Sequence, residues 1–209
     1  WSANAKTPAV QGHQPNAHTI SREANDHKLS VLYDQTSDYG GYGMVSQNFG
    51  DQYDSAAIDD FMIPNGAKWT IKEVDVFGFY FNGSGPADSE DIIIYQENLK
   101  GFDKAKVVAE YHNLVGKDKD GTFSIKLPGK GLKLKDGHYW MSVVVNMPFV
   151  PGGQWAWENQ TTNTVEIDPA KWRNPGDGYG TGCTDWTAET ECVPSPQGDH
   201  LFVLKGKAK

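Results

Sequence analysis

The sequence predicts an all-β fold, an antiparallel β-sandwich of jelly-roll type. Three observations carry this reading. Apolar residues recur at every second position in many short segments, clusters of Gly, Pro, Asn and Asp separate those segments at short intervals, and no stretch sustains a helical period. The 209 residues, with 23 Gly among them, suffice for one sizeable core and show no compositional break in the middle. Residues 1–28, polar and without strand periodicity, read as an N-terminal extension, partly flexible, and 29–209 as a single sandwich domain.

In chain order, "LSVLYD" opens the domain as a short strand and runs into the Gly- and Tyr-rich loop "QTSDYGGYG". "DFMIP" precedes an expected turn at Asn65-Gly66, after which a long strand runs from Trp69 to Phe81. Val74, Val76, Gly78 and Tyr80 share one of its faces, and Asp75, Phe77, Phe79 and Phe81 share the other. Both faces become apolar, which suits a central strand. Further strands fall at "DIIIYQE", "KVVAEYH", "GTFSIKL", "HYWMSVVVNM", "GQWAWEN" and "HLFVLKG". In "HYWMSVVVNM", Tyr139, Met141, Val143, Val145 and Met147 alternate with Trp140, Ser142, Val144 and Asn146. Asp120-Gly121 is a hairpin turn; the surrounding "KDKDGTF" lacks the closing Glu of a calcium loop. A helical turn has its one opening at "DPAKW".

A formal net charge of -8 repels a phosphate backbone, and the lysines are scattered, so nucleic acid is excluded as a partner. No apolar run reaches the length of a membrane span. Cys183 and Cys192 enclose a short polar segment that a disulfide would close, with a loop-entropy stabilisation of roughly 2–3 kcal/mol. The alternative is two free thiols in a reducing compartment; zinc does not compete, because two Cys with no nearby His cannot fill its shell. The bridge implies an oxidising compartment, and the expectation is a secreted monomer that has already lost its export signal.

"AIDDFMIP", "GHYWMSVVVNM", "WAWEN", "WRNPGDGYGTGCTDW", a second Cys and a final "HLFVL" follow one another along the chain. Together they resemble a largely uncharacterised β-sandwich module of secreted bacterial proteins, often found beside extracellular or surface-anchoring parts. The resemblance spans Ser30 to Gly206, and "WRNPGDGYGTGC" is its most specific element. It implies secretion and a sandwich, and says little about chemistry.

The residues that point to a ligand are Trp155, Trp157, Trp172, Arg173, Asn174, Tyr179 and Trp186. Planar rings stack on the apolar faces of sugars while amide, carboxylate and guanidinium groups satisfy hydroxyls. Trp155 and Trp157 lie two apart and so face the same way on a strand. The competing expectation is that these rings fill the core. "NPGDG" is explained throughout by turn chemistry, although Asp177 and loop carbonyls also suit calcium. Asp59 and Asp60 adjoin on a strand and should point to opposite faces, the buried one needing backbone partners or a cation. Asp59, Asp60 and Asp177 are thus the candidate metal ligands, with Ca2+ the cofactor they allow.

Catalysis finds less support. Glu73 with Asp75, and Glu189 with Glu191, are same-face carboxylate pairs that read as solvated. Gln154 with Glu158 is the one option for a Gln/Glu peptidase pair, the six histidines lie far apart, and no Gly-x-Ser-x-Gly or His-Glu-x-x-His motif is present. The sequence therefore reads as a non-catalytic extracellular module that binds carbohydrate or another surface polymer. The alternatives are a structural or adhesive domain without a small ligand, and a hydrolase of an extracellular polymer.

Overall fold

The computed structural model describes residues 8–11, 29–36, 42–98, 101–160, 167–194 and 198–209. In chain order the strands are Ala9–Gln11 (β1), Ser30–Asp34 (β2), Tyr42–Val45 (β3), Gln47–Asn48 (β4), Ala56–Val76 (β5) and Gly78–Phe81 (β6). Ser89–Asn98 (β7), Gly101–Leu114 (β8), Lys117–Lys119 (β9), Thr122–Lys126 (β10) and Leu132–Asn146 (β11) follow. Gln154–Glu158 (β12), Lys171–Arg173 (β13), Thr187–Ala188 (β14) and Phe202–Ala208 (β15) complete them. The described residues add two four-residue helical turns, Phe149–Gly152 (α1) and Glu189–Cys192 (α2).

The fold is all-β, as the alternation predicts. A small sheet runs β1-β3-β12-β6, and a larger one runs β14-β13-β5-β11-β7-β8, with β10 and β15 also pairing β5. The pairs are antiparallel except β4 with β11. The two sheets share one core: Trp155 of β12 meets Phe123 of β10 at 5.5 Å between ring centroids, and Trp157 meets Phe202 of β15 at 6.1 Å. Alternate residues of β11 (Tyr139, Met141, Val143, Val145) and of β5 (Ala57, Phe61, Ile63) face that core.

Four local expectations are corrected. The strand expected from Trp69 to Phe81 breaks at Phe77, with β5 ending at Val76 in the large sheet and β6 starting at Gly78 in the small one. Asn65-Gly66 does not reverse the chain. β5 runs straight through it as a bulge in which Pro64–Ala67 oppose the single residue Asp136 of β11, whose carboxylate accepts the Gly66 N–H at 3.1 Å. "DPAKW" ends in strand β13, not a helical turn, because Lys171–Arg173 pair with Ala56–Ile58. Within the stretch read as an extension, Ala9–Gln11 pair antiparallel with β3; residues 1–7 and 12–28 lie outside the described residues. The Asp120-Gly121 turn is present, with φ of 54° and 92° between β9 and β10, and a Cβ at Gly121 would stand 2.8 Å from the Phe79 backbone.

Glu90 on β7 carries a pH dependence of the fold. Its carboxyl is buried and accepts the Gly116 N–H at 2.7 Å. Burial, aided by the nearby Asp118 charge and opposed by that hydrogen bond, pushes its pKa from 4.5 up to about 7. A carboxyl that keeps its proton longer when folded costs stability as pH rises between those two values. Glu90→Gln is therefore expected to match the parent near pH 4.5 and to melt several degrees above it at pH 8, read from melting curves across that range.

Candidate functional site

The segment Lys171–Trp186 builds one patch on the outer face of the large sheet. On β13, Trp172 points into the core, so Lys171 and Arg173 on either side point out. The same outer face carries Asp60 on β5, its partner Trp140 on β11, and Tyr95, which pairs Trp140 from β7. Phe102 of β8 packs against Trp140 at 4.7 Å. The Cys183–Cys192 disulfide, Cα to Cα 5.9 Å, closes the loop that carries Asp185 and Trp186 over this face. Trp186 stands nearly perpendicular to Tyr95 (6.4 Å, 80°) and to Phe102 (6.2 Å, 89°). Tyr95, Phe102, Ala105, Asp185 and Trp186 line a pocket of about 250 Å³.

Cations hold the rings from behind. The Arg173 guanidinium lies 4.3 Å from the Trp186 ring centroid, and Lys171 Nζ lies 5.4 Å from Trp140 and 5.7 Å from Phe102. Arg173 Nε is buried and has no hydrogen-bond partner among the described residues.

The other predicted ligand residues are placed elsewhere. Trp155, Trp157 and Trp172 are 0 % exposed, so none has a ring face open to a sugar. Their indole N–H groups donate to the carbonyls of Gly121, Leu201 and Val45 at 2.7, 2.9 and 2.8 Å. Asn174 is buried, donating to the carbonyls of Gln52 and Asp54 and accepting the Tyr179 N–H. Tyr179 packs half-buried between Trp172 and Tyr53. The run of glycines has a steric reason: a Cβ at Gly176 or Gly178 would come within 2.6 Å of the Gln52 backbone. Of the seven predicted residues, Arg173 and Trp186 reach the outer patch, and Tyr95 and Phe102 join them unpredicted.

Asp177 and the Asp59–Asp60 pair, weighed from the sequence as separate calcium candidates, lie in different surroundings. Asp177 Oδ1 accepts the Gly182 N–H at 2.9 Å within its own exposed loop. Asp59 faces the core, where its carboxylate accepts the His200 N–H (2.5 Å), the Gln35 side-chain amide (2.8 Å) and the Asp60 N–H (2.8 Å). Burial first, then the charges of Asp199 and Asp60, raise its pKa well above the usual carboxylate range. Nearby, Glu189 is buried rather than solvated, and its carboxylate meets His200 Nε2 at 2.7 Å. Glu73 and Asp75 both pair with Lys205. Gln154 is buried and tied to Asn82 and Tyr179, and Glu158 is buried as well.

Asp60 points the other way, outward but fully covered. Its Oδ2 meets His138 Nε2 at 2.5 Å and accepts the Asp168 N–H at 3.1 Å. His138 Nδ1 lies 3.2 Å from Glu97 Oε2, which also accepts the Trp140 indole N–H at 2.6 Å. Burial works against a charged His138, but the hydrogen bond and charge of Asp60, with Glu97 and Asp168, outweigh it and hold its pKa above the ordinary histidine value. Burial likewise raises Asp60, more than its bond to His138 lowers it. Sequence reasoning missed His138, Glu97 and Asp168. The one signal was that His138 and Trp140, two apart on a strand, share a face with each other and not with the core series.

The chain matches no family model, and no curated protein matches it.

Proposed function

We propose that this protein is an extracellular, non-catalytic module, a sandwich of jelly-roll type, that holds one sugar unit of a surface polymer in the Tyr95–Phe102–Trp186 pocket. The observation that carries this reading is a pocket walled by three aromatic rings at steep mutual angles, with the Asp185 carboxylate beside them and the Arg173 guanidinium against the Trp186 ring. Aromatic walls accept sugar C–H faces, while Asp185 takes hydroxyl donors and Arg173 holds the Trp186 ring in place. At about 250 Å³ the pocket falls below the roughly 300–1,000 Å³ of larger ligand sites, which suits a single ring. The Cys183–Cys192 bridge supports an oxidising, extracellular setting, and no helix among the described residues is long and apolar enough to cross a membrane.

Titration with a panel of neutral and acidic polysaccharides, followed by Trp fluorescence and calorimetry, tests the proposal. Trp186→Ala is expected to weaken binding at least tenfold, about 1.4 kcal/mol, with little loss of melting temperature because Trp186 is only partly buried. The proposal fails if no glycan in the panel binds, or if Trp186→Ala binds as tightly as the parent.

A further inference from the structure

We propose that Asp60, His138 and Asp168 form a binding site for a divalent transition-metal ion, with zinc the occupant their chemistry favours. One ligand atom from each residue lies within 4.8 Å of the others, so a single ion reaches all three. Carboxylates alone would suit calcium or magnesium, but an imidazole among them shifts the preference toward zinc and its neighbours.

Two further observations go beyond the cluster itself. First, Asp60 is 0 % exposed, yet its Oδ1 has no hydrogen-bond partner among the described residues. An orphaned carboxylate oxygen in a covered position is costly unless a cation meets it. Second, the imidazole is oriented as metal-binding histidines are. Glu97 lies against Nδ1, Trp140 fixes Glu97 in turn, and Nε2 is left aimed at Asp60. This carboxylate–histidine arrangement fixes the ring and makes the ligating nitrogen more basic. Asp168, half-buried, is delivered by its own N–H bond to Asp60 and forms the solvent side of the site, where water would complete a four-coordinate shell.

An ion would displace the contact between His138 Nε2 and the Asp60 carboxylate, and rotation of that carboxylate would bring the unpartnered Oδ1 onto it. Bonds of 2.0–2.2 Å in a tetrahedral shell put neighbouring ligand atoms about 3.4 Å apart. The present 2.5 Å pair therefore opens by about 1 Å, within reach of side-chain rotation alone. The site adjoins the aromatic pocket through Trp140, whose ring lies 5.7 Å from His138 and 4.7 Å from Phe102.

The full chain, stripped of metal by a chelator, is titrated with Co2+ while visible absorption is followed, and with Zn2+ by calorimetry. One equivalent of Co2+ is expected to bind, to develop d–d bands and to be displaced by Zn2+, and Zn2+ is expected to raise the melting temperature. His138→Gln and Asp168→Asn should each lose that equivalent, and Glu97→Gln should weaken it roughly 10–100-fold. Glu189→Gln, in the separate cluster around His200, should leave it unchanged. Asp168→Asn, at a half-buried loop position, keeps the test open if His138→Gln melts early. The proposal is overturned if no saturable equivalent binds, if only Ca2+ raises the melting temperature, or if the zinc equivalent survives both His138→Gln and Asp168→Asn.

Discussion

Trp157→Ala is expected to lower the stability of the fold by roughly 3–5 kcal/mol, the range for deleting a large buried aromatic side chain. Trp157 is 0 % exposed at the centre of the core. Its ring stacks on His200 (4.5 Å between centroids, 15° between planes), stands edge-on to Phe202, and donates its N–H to the Leu201 carbonyl at 2.9 Å. Truncation opens a cavity between the two sheets and leaves that carbonyl without its indole donor. Trp157→Phe fills most of the volume and should cost clearly less, the difference reporting the N–H bond and the lost ring area. Urea unfolding monitored by circular dichroism measures both. At 2–4 °C per kcal/mol for a chain of this size, the Ala variant should melt on the order of 10 °C lower. A change within 0.5 kcal/mol would mean that β12 is not the inner layer of the sandwich.

Trp157 also shows what the sequence disclosed and what it hid. The alternation in β11 and the spacing of Trp155 and Trp157 could be read directly, because period 2 is written into neighbouring residues. The same rule separated Asp59 from Asp60, while turn chemistry gave the Asp120-Gly121 hairpin. Which side of a strand meets the second sheet depends on partners far along the chain, and this decided against Trp155, Trp157 and Trp172 as ligand residues. Asn65-Gly66 read as a turn because local chemistry cannot distinguish a reversal from a bulge; the paired residues of β11, about 70 positions away, make the difference. His138, Glu97 and Asp168 were hard to find for the same reason, since the pairing of β7, β11 and β13 with and around β5 sets them beside Asp60. Trp186 and Arg173 sit in an unusual segment whose composition did mark it out, and the disulfide that its cysteines imply holds it over the outer face.

Asp59 offers the sharper test of how this core tolerates polar groups. Asp59→Ala is expected to destabilise by about 2–4 kcal/mol, because it strands three buried donors at once. The carboxylate accepts three hydrogen bonds, from His200 N–H, from Asp60 N–H and from the Gln35 amide. Each donor stranded without an acceptor costs roughly 1–3 kcal/mol, while removing a buried carboxylate returns part of its desolvation cost, so the net falls below the simple sum. Asp59→Asn separates these contributions. Its carbonyl can hold the two donors now on Oδ2, but its NH2 group then faces the Asp60 N–H, donor against donor. Turning the new amide over only moves the mismatch, setting its NH2 group against the His200 N–H and Gln35 Nε2. Asp59→Asn should therefore fall between parent and Ala, about 1–2 kcal/mol down for one unmatched donor pair. Equilibrium unfolding of the three proteins gives the order. Under the proposed function, glycan affinity measured well below the melting temperature should stay at the parent value in both variants, since Asp59 faces the core and the pocket lies on the opposite face of the sheet. An Ala variant as stable as the parent would show that desolvation of the carboxylate offsets all three hydrogen bonds.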